Sequence, residues 1–429
     1  MWTNRDIPLP CFRFLERAAS SVPALVNLDL EIQQALSGLN LPAEQLRGRR
    51  IAVTAGSRGI ASLKEIVRTL CAWLKAQRAQ PFVFPAMGSH GGATAEGQRQ
   101  VLAEYGVTPE FVGAEIRSSM ETVCLGETPQ GFKVFMDRNA WEADAVLVMN
   151  RIKPHTDFTG KIESGRVKMM AIGMGKIEGA QECHRWLRKH GSEMVIRAVA
   201  AKILESGKIL AGLGVVENEF HQICAVRAAR PADIVTQEEE ALRLARSLTP
   251  RLPFSRLDVL VVDEMGKNIS GTGMDTKCIG RGVTQGPNEG PAIGMLYVRD
   301  LTPETEGNAA GIGMADIIHE RVFKKVDLQK TYINVSAALN PLMARLPIYS
   351  ANDRAALNLA LGWLGAPKAD EQCLAWIRNT LALDRIVVSE RLGREASGLP
   401  GWRLAEGDFA PRFAADGNLA SPFKTLLGN

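Results

Sequence analysis

Several things are missing from this chain, and each absence removes a class of function. Its longest apolar stretches, such as the segment from Leu257 to Val262, fall far short of the roughly 20 residues a membrane-spanning helix needs. The N-terminal segment carries charges where a secretion signal has an apolar core, so a cytoplasmic protein is expected. Cysteine pairs are missing too. The seven cysteines (Cys11, Cys71, Cys124, Cys183, Cys224, Cys278 and Cys373) include no C-x-x-C, which argues against a disulfide framework, an iron–sulfur cluster or a structural zinc site. Only Cys183, beside His184, has a neighbour that could share a metal, and burial is the simpler expectation for it. Lysine and arginine number 51 against 47 acidic residues and form no basic run, so neither nucleic acid nor a membrane surface is the expected partner. The G-x-x-x-x-G-K-[ST] order of a P-loop is absent, as is a G-x-G-x-x-G set between strand and helix.

What is present is an α/β pattern, in which strand-like apolar runs alternate with helical periodicity. A hydrophobic content of 46% over 429 residues allows about two domains of ordinary size. The expected division is an N-terminal cofactor-binding and catalytic α/β domain over 1–250 and a C-terminal α/β domain over 251–429, with mostly parallel sheets and an active-site cleft between them. The proline-bearing segment Thr249 to Pro253 is the linker candidate. The first clear unit is a strand over Ile51–Thr54, the turn Gly56-Ser57-Arg58-Gly59, and a helix from Ser62 to Gln77. Strand Phe82–Phe84 follows, then a glycine-rich turn and a helix over Thr94–Tyr105. Another strand, Ala145–Met149, leads into Lys153-Pro154-His155, and helices are expected from Glu178 and over Ala232–Leu248. The second half reads as strands Leu257–Val262, Met295–Val298 and Arg385–Val388, with helices around Met314–Val322 and over Asp353–Leu364. The last twenty or so residues read as a loosely ordered tail.

Six histidines serve the whole chain, so their placement is informative. Histidine titrates near neutrality and is the commonest metal ligand. His90 lies in Gly88-Ser89-His90-Gly91-Gly92, where close backbone approach and a helix N-terminus suit an anion; such turns also end strands for structural reasons alone. His155 lies beyond a strand's carboxyl end, as do Arg58 and His90, and open α/β sheets bind ligands there. The segment Lys153 to Lys168 is denser in functional side chains than a connection requires, although any single lysine in it could simply face water. Lys168 borders the apolar run Met169 to Gly175, at the edge of the core. His184 comes sixteen residues after Lys168. His190 reads as a helix-surface residue, and His221 and His319 as surface or satisfied core positions. In the second half, Lys267, Asp275 and Arg281 lie among Gly266, Gly271, Gly273 and Gly280, like a second ligand-facing wall.

These motifs resemble the nickel-pincer-nucleotide 2-hydroxyacid racemase and epimerase family, of lactate racemase type. The likeness is concentrated in Ser57-Arg58, Gly88 to Gly92, His155 to His184, and Gly271 to Arg281; its strongest element is Ser164-Gly165-Arg166-Val167-Lys168 followed by His184. It implies a pyridinium mononucleotide with two sulfur-bearing groups holding nickel, tethered to Lys168 through a thioamide and completed by His184, near Ser57, Gly91 and Gly92. His90 and His155 would be the acid/base pair, and Arg58, with Lys267 or Arg281, would hold the substrate carboxylate. Proteins that synthesise the cofactor are implied partners, and a homo-oligomer is left open. The chain departs from the family pattern at Ala55 and Gly59, where an aspartate and a proline are usual, and at Ile279 and Gly280, where a tyrosine and a glutamine are usual. The smaller wall suits a larger hydroxy acid, such as a sugar acid, better than lactate. Two other classes fit the residues: an NAD(P)-dependent hydroxyacid dehydrogenase, and a non-catalytic ligand- or cofactor-binding protein.

Overall fold

Two parallel-rich sheets organise the chain, and the computed structural model describes residues 6–57, 59–156, 158–283, 289–337 and 340–423. The backbone divides into two compact units, one spanning Ser21 to Thr249 and the other combining the residues up to Ser20 with those from Pro250 onward. The break falls in the proline-bearing segment Thr249 to Pro253.

In the first unit, among the described residues, the main sheet has six strands in the order Glu115–Ile116, Gln80–Pro85, Arg50–Ala55, Ala145–Arg151, Ile209–Glu217, Ile223–Ala229. All neighbours are parallel except the last pair. Side chains alternate along each strand, so Ile51 and Val53 enter a core shared with helices Leu28–Ser37 and Leu63–Ala76, while Ala52 enters another packed by helix Ser192–Glu205. Such two-sided burial explains why these strands read as apolar runs rather than alternating ones. Strand order runs outward in one direction from Arg50–Ala55 and then in the other from Ala145–Arg151. The switch point therefore lies between those two strands, and ligands of doubly wound sheets bind beside it. Their ladder ends at Val53↔Leu147. Beyond it the Thr54 hydroxyl takes over both backbone groups of Met149, donating to its oxygen at 3.0 Å and accepting from its nitrogen at 2.7 Å.

Among the described residues the second unit's sheet has eight strands in the order Ile348–Ser350, Ile317–His319, Ala292–Val298, Arg256–Val262, Leu374–Ile377, Arg385–Ser389, Phe12–Arg17, Trp402–Leu404. The first five are parallel and the remaining pairings antiparallel. Phe12–Arg17, although N-terminal, pairs with Arg385–Ser389 and Trp402–Leu404, and its Phe12, Phe14 and Leu15 are buried. This sheet has its own switch point, between Arg256–Val262 and Leu374–Ile377.

Two expectations need correction. The segment Met314 to Val322 is not one helix: Ile317–His319 is a strand between Val298 and Ser350, and a helix begins only at Glu320. Paired β-branched residues at Ile317 and Ile318 suit a buried strand. The C-terminal segment up to residue 423 is also not a loose tail. Leu419 is buried, its nitrogen donates to Asp353 at 2.8 Å, and its carbonyl accepts from Arg299. Among the described residues, no helix is long and apolar enough to cross a membrane.

Candidate active site

Three segments singled out in the sequence follow the carboxyl ends of three adjacent strands: Ser57 after Arg50–Ala55, His90 after Gln80–Pro85, and His155 after Ala145–Arg151. Ser57 Oγ and His90 Nδ1 are hydrogen-bonded, and the Tyr105 hydroxyl donates to the Ser57 carbonyl at 3.2 Å. A hydroxyl on Nδ1 fixes the imidazole's rotation and occupies one of its two nitrogens. Ser57, expected near the cofactor, is thus placed first against His90. Arg58 lies outside the described residues.

The loop bearing His90 is held from below. The fully buried Gln98 amide donates to the carbonyls of Gly88 (2.8 Å) and His90 (3.2 Å), and Gln98 in turn accepts from the buried Lys176 ammonium at 2.9 Å. Lys176 also reaches the Pro85 carbonyl, at 2.5 Å, and pairs with Asp137 at 3.0 Å. Burial pushes the Lys176 ammonium down and the Asp137 carboxyl up, each against the pull of the other. Lys176 sits at φ +52°, a region that non-glycine residues rarely occupy and that persists only where surroundings over-determine it. Gly91 is required by close approach as well as by its φ of +63°: a Cβ there would lie 2.6 Å from Gly97. Gly92, at the same φ, faces open space.

His155 is half-buried and stacks on Phe158, with ring centroids 4.3 Å apart. Its backbone N–H donates to the buried Glu163, which also accepts from the Gly160 nitrogen at 3.2 Å and from the Arg246 guanidinium. Lys153 and Ser164 exchange backbone hydrogen bonds at 3.0 and 3.2 Å, closing the residues between them into a loop just before the Lys168 turn.

Lys168 lies on a short turn, Arg166–Lys168, anchored by Glu238. The Glu238 carboxylate accepts from the nitrogens of Arg166 (2.7 Å) and Val167 (3.1 Å) and from Arg166 Nε (3.2 Å). It caps the turn and neutralises a fully buried guanidinium with one group. Burial pushes the Glu238 carboxyl up, opposed by Arg166 and by the two N–H donors. Residue 165 is glycine because a Cβ there would collide with that carboxylate. Asn150, near the end of its strand, donates to the Gly165 carbonyl at 2.8 Å. Immediately after Lys168 the chain forms a π-helix, Met169–Gly173, in which Met174 donates to the Met169 carbonyl at 2.9 Å. Single π turns recur at functional sites. The Gly173 carbonyl accepts from Gly88 at 3.1 Å, tying the Lys168 segment to the His90 loop. Lys168 is half-buried between buried neighbours, and His184 is half-buried on helix Lys176–His190.

The other candidates have local partners of their own. Lys267 donates to the Gly271 carbonyl at 2.6 Å within its own loop. Arg281 pairs with Asp316 at 2.7 Å and donates to the carbonyls of Met314 (2.9 Å) and Ile293 (3.0 Å), so its fork is engaged within the second unit. Asp275 accepts from Lys277 at 2.9 Å, and its nitrogen donates to Thr380 at 2.8 Å. Cys183 is buried, with its thiol pushed up to about 12 by desolvation, and donates to the Ala171 carbonyl. His319 is a satisfied core residue: Asn418 lies 2.7 Å from Nε2, and Nδ1 accepts from the Arg321 nitrogen. His190 is not a plain surface residue but packs with Phe132 and Trp186, both ring centroids 5.3 Å away. Sequence reasoning missed Gln98, Lys176, Glu163, Glu238 and Arg246. Glu238 left a trace, a charge inside the apolar stripe Ile234, Ala241, Leu242, Ala245.

The first unit is thus a doubly wound α/β domain in which Ser57, the exposed His90 and the half-buried His155 follow the carboxyl ends of adjacent strands beside its switch point. Residues 41–195 match the family model described as the lactate racemase N-terminal domain. Over that span, rather more than a third of the chain, the sequence is similar to that domain. The lactate racemase apoprotein from Thermoanaerobacterium thermosaccharolyticum shares its fold, with a TM-score of 0.52 at 13% identity, over 86% of this chain and 94% of that one. A Thermotoga maritima protein is similar over 66% of this chain and 72% of its own, at 16% identity and a TM-score of 0.49. No curated protein sequence matches the chain.

Proposed function

We propose that the protein is a racemase or C2-epimerase of a 2-hydroxy acid that works with a nickel-pincer nucleotide held at the first unit's switch point. The observation that carries this reading is the placing of Ser57, His90 and His155 after adjacent strand ends, with the Lys168 segment bonded to the strand before His155 through Asn150 and to the His90 loop through Gly88. The donor set fits such a group. Among the described residues no three His, Cys, Asp or Glu side chains gather to hold a metal; a cofactor that brings its own donors needs one imidazole, His184, and one amine, Lys168. When bound, that group supplies an electrophilic acceptor for the C2 hydrogen and its electron pair.

The remaining work belongs to the chain. Direct removal of the C2 proton would need a strong base, because that carbon acid is weak; with an acceptor for the hydrogen, the protein has only to take and return the hydroxyl proton. His90 and His155, on different loops, are assigned that transfer, one serving each configuration. General acid–base help of this kind contributes about 10²- to 10⁴-fold. The Ser57 hydroxyl holds the His90 ring, and Phe158 holds the His155 ring. Arg58 is assigned to the substrate carboxylate, a task suited to a permanently charged planar fork, with Lys267 as the second-unit candidate; the carbonyl and Asp316 partners of Arg281 suit it to holding its own loop. The test is a panel of single-enantiomer 2-hydroxy acids, sugar acids included, incubated with protein co-produced with cofactor-synthesis proteins and nickel. Chiral chromatography should show inversion at C2 for at least one acid in the panel; no inversion of any would sink the proposal. NAD(P)H absorbance changes that survive Lys168→Ala would point to a dehydrogenase instead.

A further inference from the structure

Helix Ile234–Leu248 reaches two of the assigned groups from behind. Near its start, Glu238 accepts the backbone N–H groups of residues 166 and 167 and so holds the turn carrying Lys168. Two turns later, about 12 Å along the axis at 1.5 Å per residue, Arg246 donates to the Gly160 carbonyl and to Glu163, the carboxylate that accepts the His155 N–H. The helix is fixed to its own domain by the buried Ile234, Ala241, Leu242, Ala245 and Leu248. Each end therefore offers a charged side chain to a different functional segment. The two attachments share no side chain, so each can be cut while the other stays.

We propose that helix Ile234–Leu248 is a bracket that sets the spacing of the Lys168 turn and the His155 loop, with Glu238 and Arg246 as positioning residues. The idea rests on the roles assigned above to Lys168 and His155. Neither Glu238 nor Arg246 is asked to touch substrate or cofactor. Their effect is transmitted through backbone groups, where a buried carboxylate that accepts several N–H bonds determines a loop's path. Gly165 is part of the same device, since any Cβ at that position displaces the carboxylate.

The experiment is amide hydrogen exchange, read by mass spectrometry on the full chain, for Arg246→Met, Arg246→Lys and Glu238→Gln. Arg246→Met should speed exchange about tenfold or more in residues 155–163, the scale of a lost charged hydrogen bond, while residues 165–174 and helix Leu63–Ala76 stay as in the parent. Glu238→Gln should do the reverse, loosening 165–174 and sparing 155–163. Arg246→Lys, which keeps a donor but loses the fork, should fall between parent and Met. In cofactor-loaded protein, Arg246→Met should lower kcat with the Lys168 adduct retained, whereas Glu238→Gln should lower the yield of adduct. Uniform acceleration across the first unit, or none in either segment, overturns the bracket. If Glu238→Gln does not fold, Arg246→Met, whose side chain is 31% exposed, still decides. The expected exchange pattern without any adduct at Lys168 supports the bracket and overturns the cofactor reading; an adduct with unaltered exchange does the opposite.

Discussion

The two units have sheets of related topology, each with a switch point, yet the two switch points are finished in opposite ways. In the first the ladder between the flanking strands stops at Val53↔Leu147, and the chain beyond turns into loops bearing Ser57, His90 and His155. In the second the strands stay joined past their ends: the backbone nitrogen of Asp263 donates to the Ile377 carbonyl at 3.0 Å, that of Glu264 to the Arg378 carbonyl at 3.0 Å, and the Asn379 amide to the Glu264 carboxylate at 3.0 Å. The polar groups beside this second switch point serve one another. Arg299 makes a two-pronged contact with Asp353 at 2.9 and 2.8 Å and a second with Asp263, which also accepts from Trp376 at 2.6 Å. Ser421 and Leu419 of the C-terminal segment complete the network. In the first unit the buried ion pairs lie beneath the functional loops instead, and hold backbone. The same topology can thus spend its polar residues on closing a sheet or on presenting side chains.

The largest effect that would break this contrast is on stability. Arg299→Met strands two carboxylates in the second unit and should cost about 3–5 kcal/mol, measured by urea unfolding; a change below about 1 kcal/mol would show the network to be dispensable. His90→Asn and His155→Asn should instead leave stability within about 0.5 kcal/mol while lowering turnover about 10²- to 10⁴-fold. Parent-like turnover in either variant would remove that histidine from the acid/base pair.

Acidification should separate the units. Burial raises the Asp353 carboxyl, but Arg299, the Leu419 N–H and Tyr297 outweigh it, leaving it below its ordinary value. Its stabilisation is complete above about pH 3.9, the unfolded value, and is lost as pH falls through the lower folded one. Burial also holds His319 below its ordinary value, so the unfolded chain takes up that proton first and stability begins to fall below about pH 6.5. In the first unit burial raises Asp137 and Glu238. There the folded state takes up the proton first, and mild acid relieves a cost. Hydrogen exchange followed downward from neutral pH should show the second unit losing protection before the first; the reverse order would refute this. The smallest effect expected is Ser57→Ala, which removes the hydroxyl hydrogen bond to His90 Nδ1 and should lower turnover by less than His90→Asn does.

Much of this was legible because it is local. The strand, glycine-rich turn and helix around Ser57 and His90 sit where apolar runs bounded by glycines place them, and Thr94 caps its helix as its hydroxyl allows. Phe12–Arg17 was not singled out, since its partners come more than 350 residues later. The Met314–Val322 region reads as a helix because three residues of strand, Ile317–His319, cannot be told from a helical turn by periodicity. The supports beneath the site were invisible for the same reason as the N-terminal strand. Arg166 and Glu238 are 72 residues apart, and His90 and Ser57 33, so only the folded backbone brings them together.

The central claim is that Lys168 and His184 hold a nickel-bearing nucleotide beside His90 and His155. The most direct test is peptide mass and nickel content of protein produced with cofactor-synthesis proteins, compared with Lys168→Ala and His184→Ala. The account predicts added mass on the peptide containing Lys168, nickel in proportion to it, loss of both in Lys168→Ala, and loss of nickel with mass retained in His184→Ala. An unmodified Lys168 and no nickel in the parent protein would contradict it.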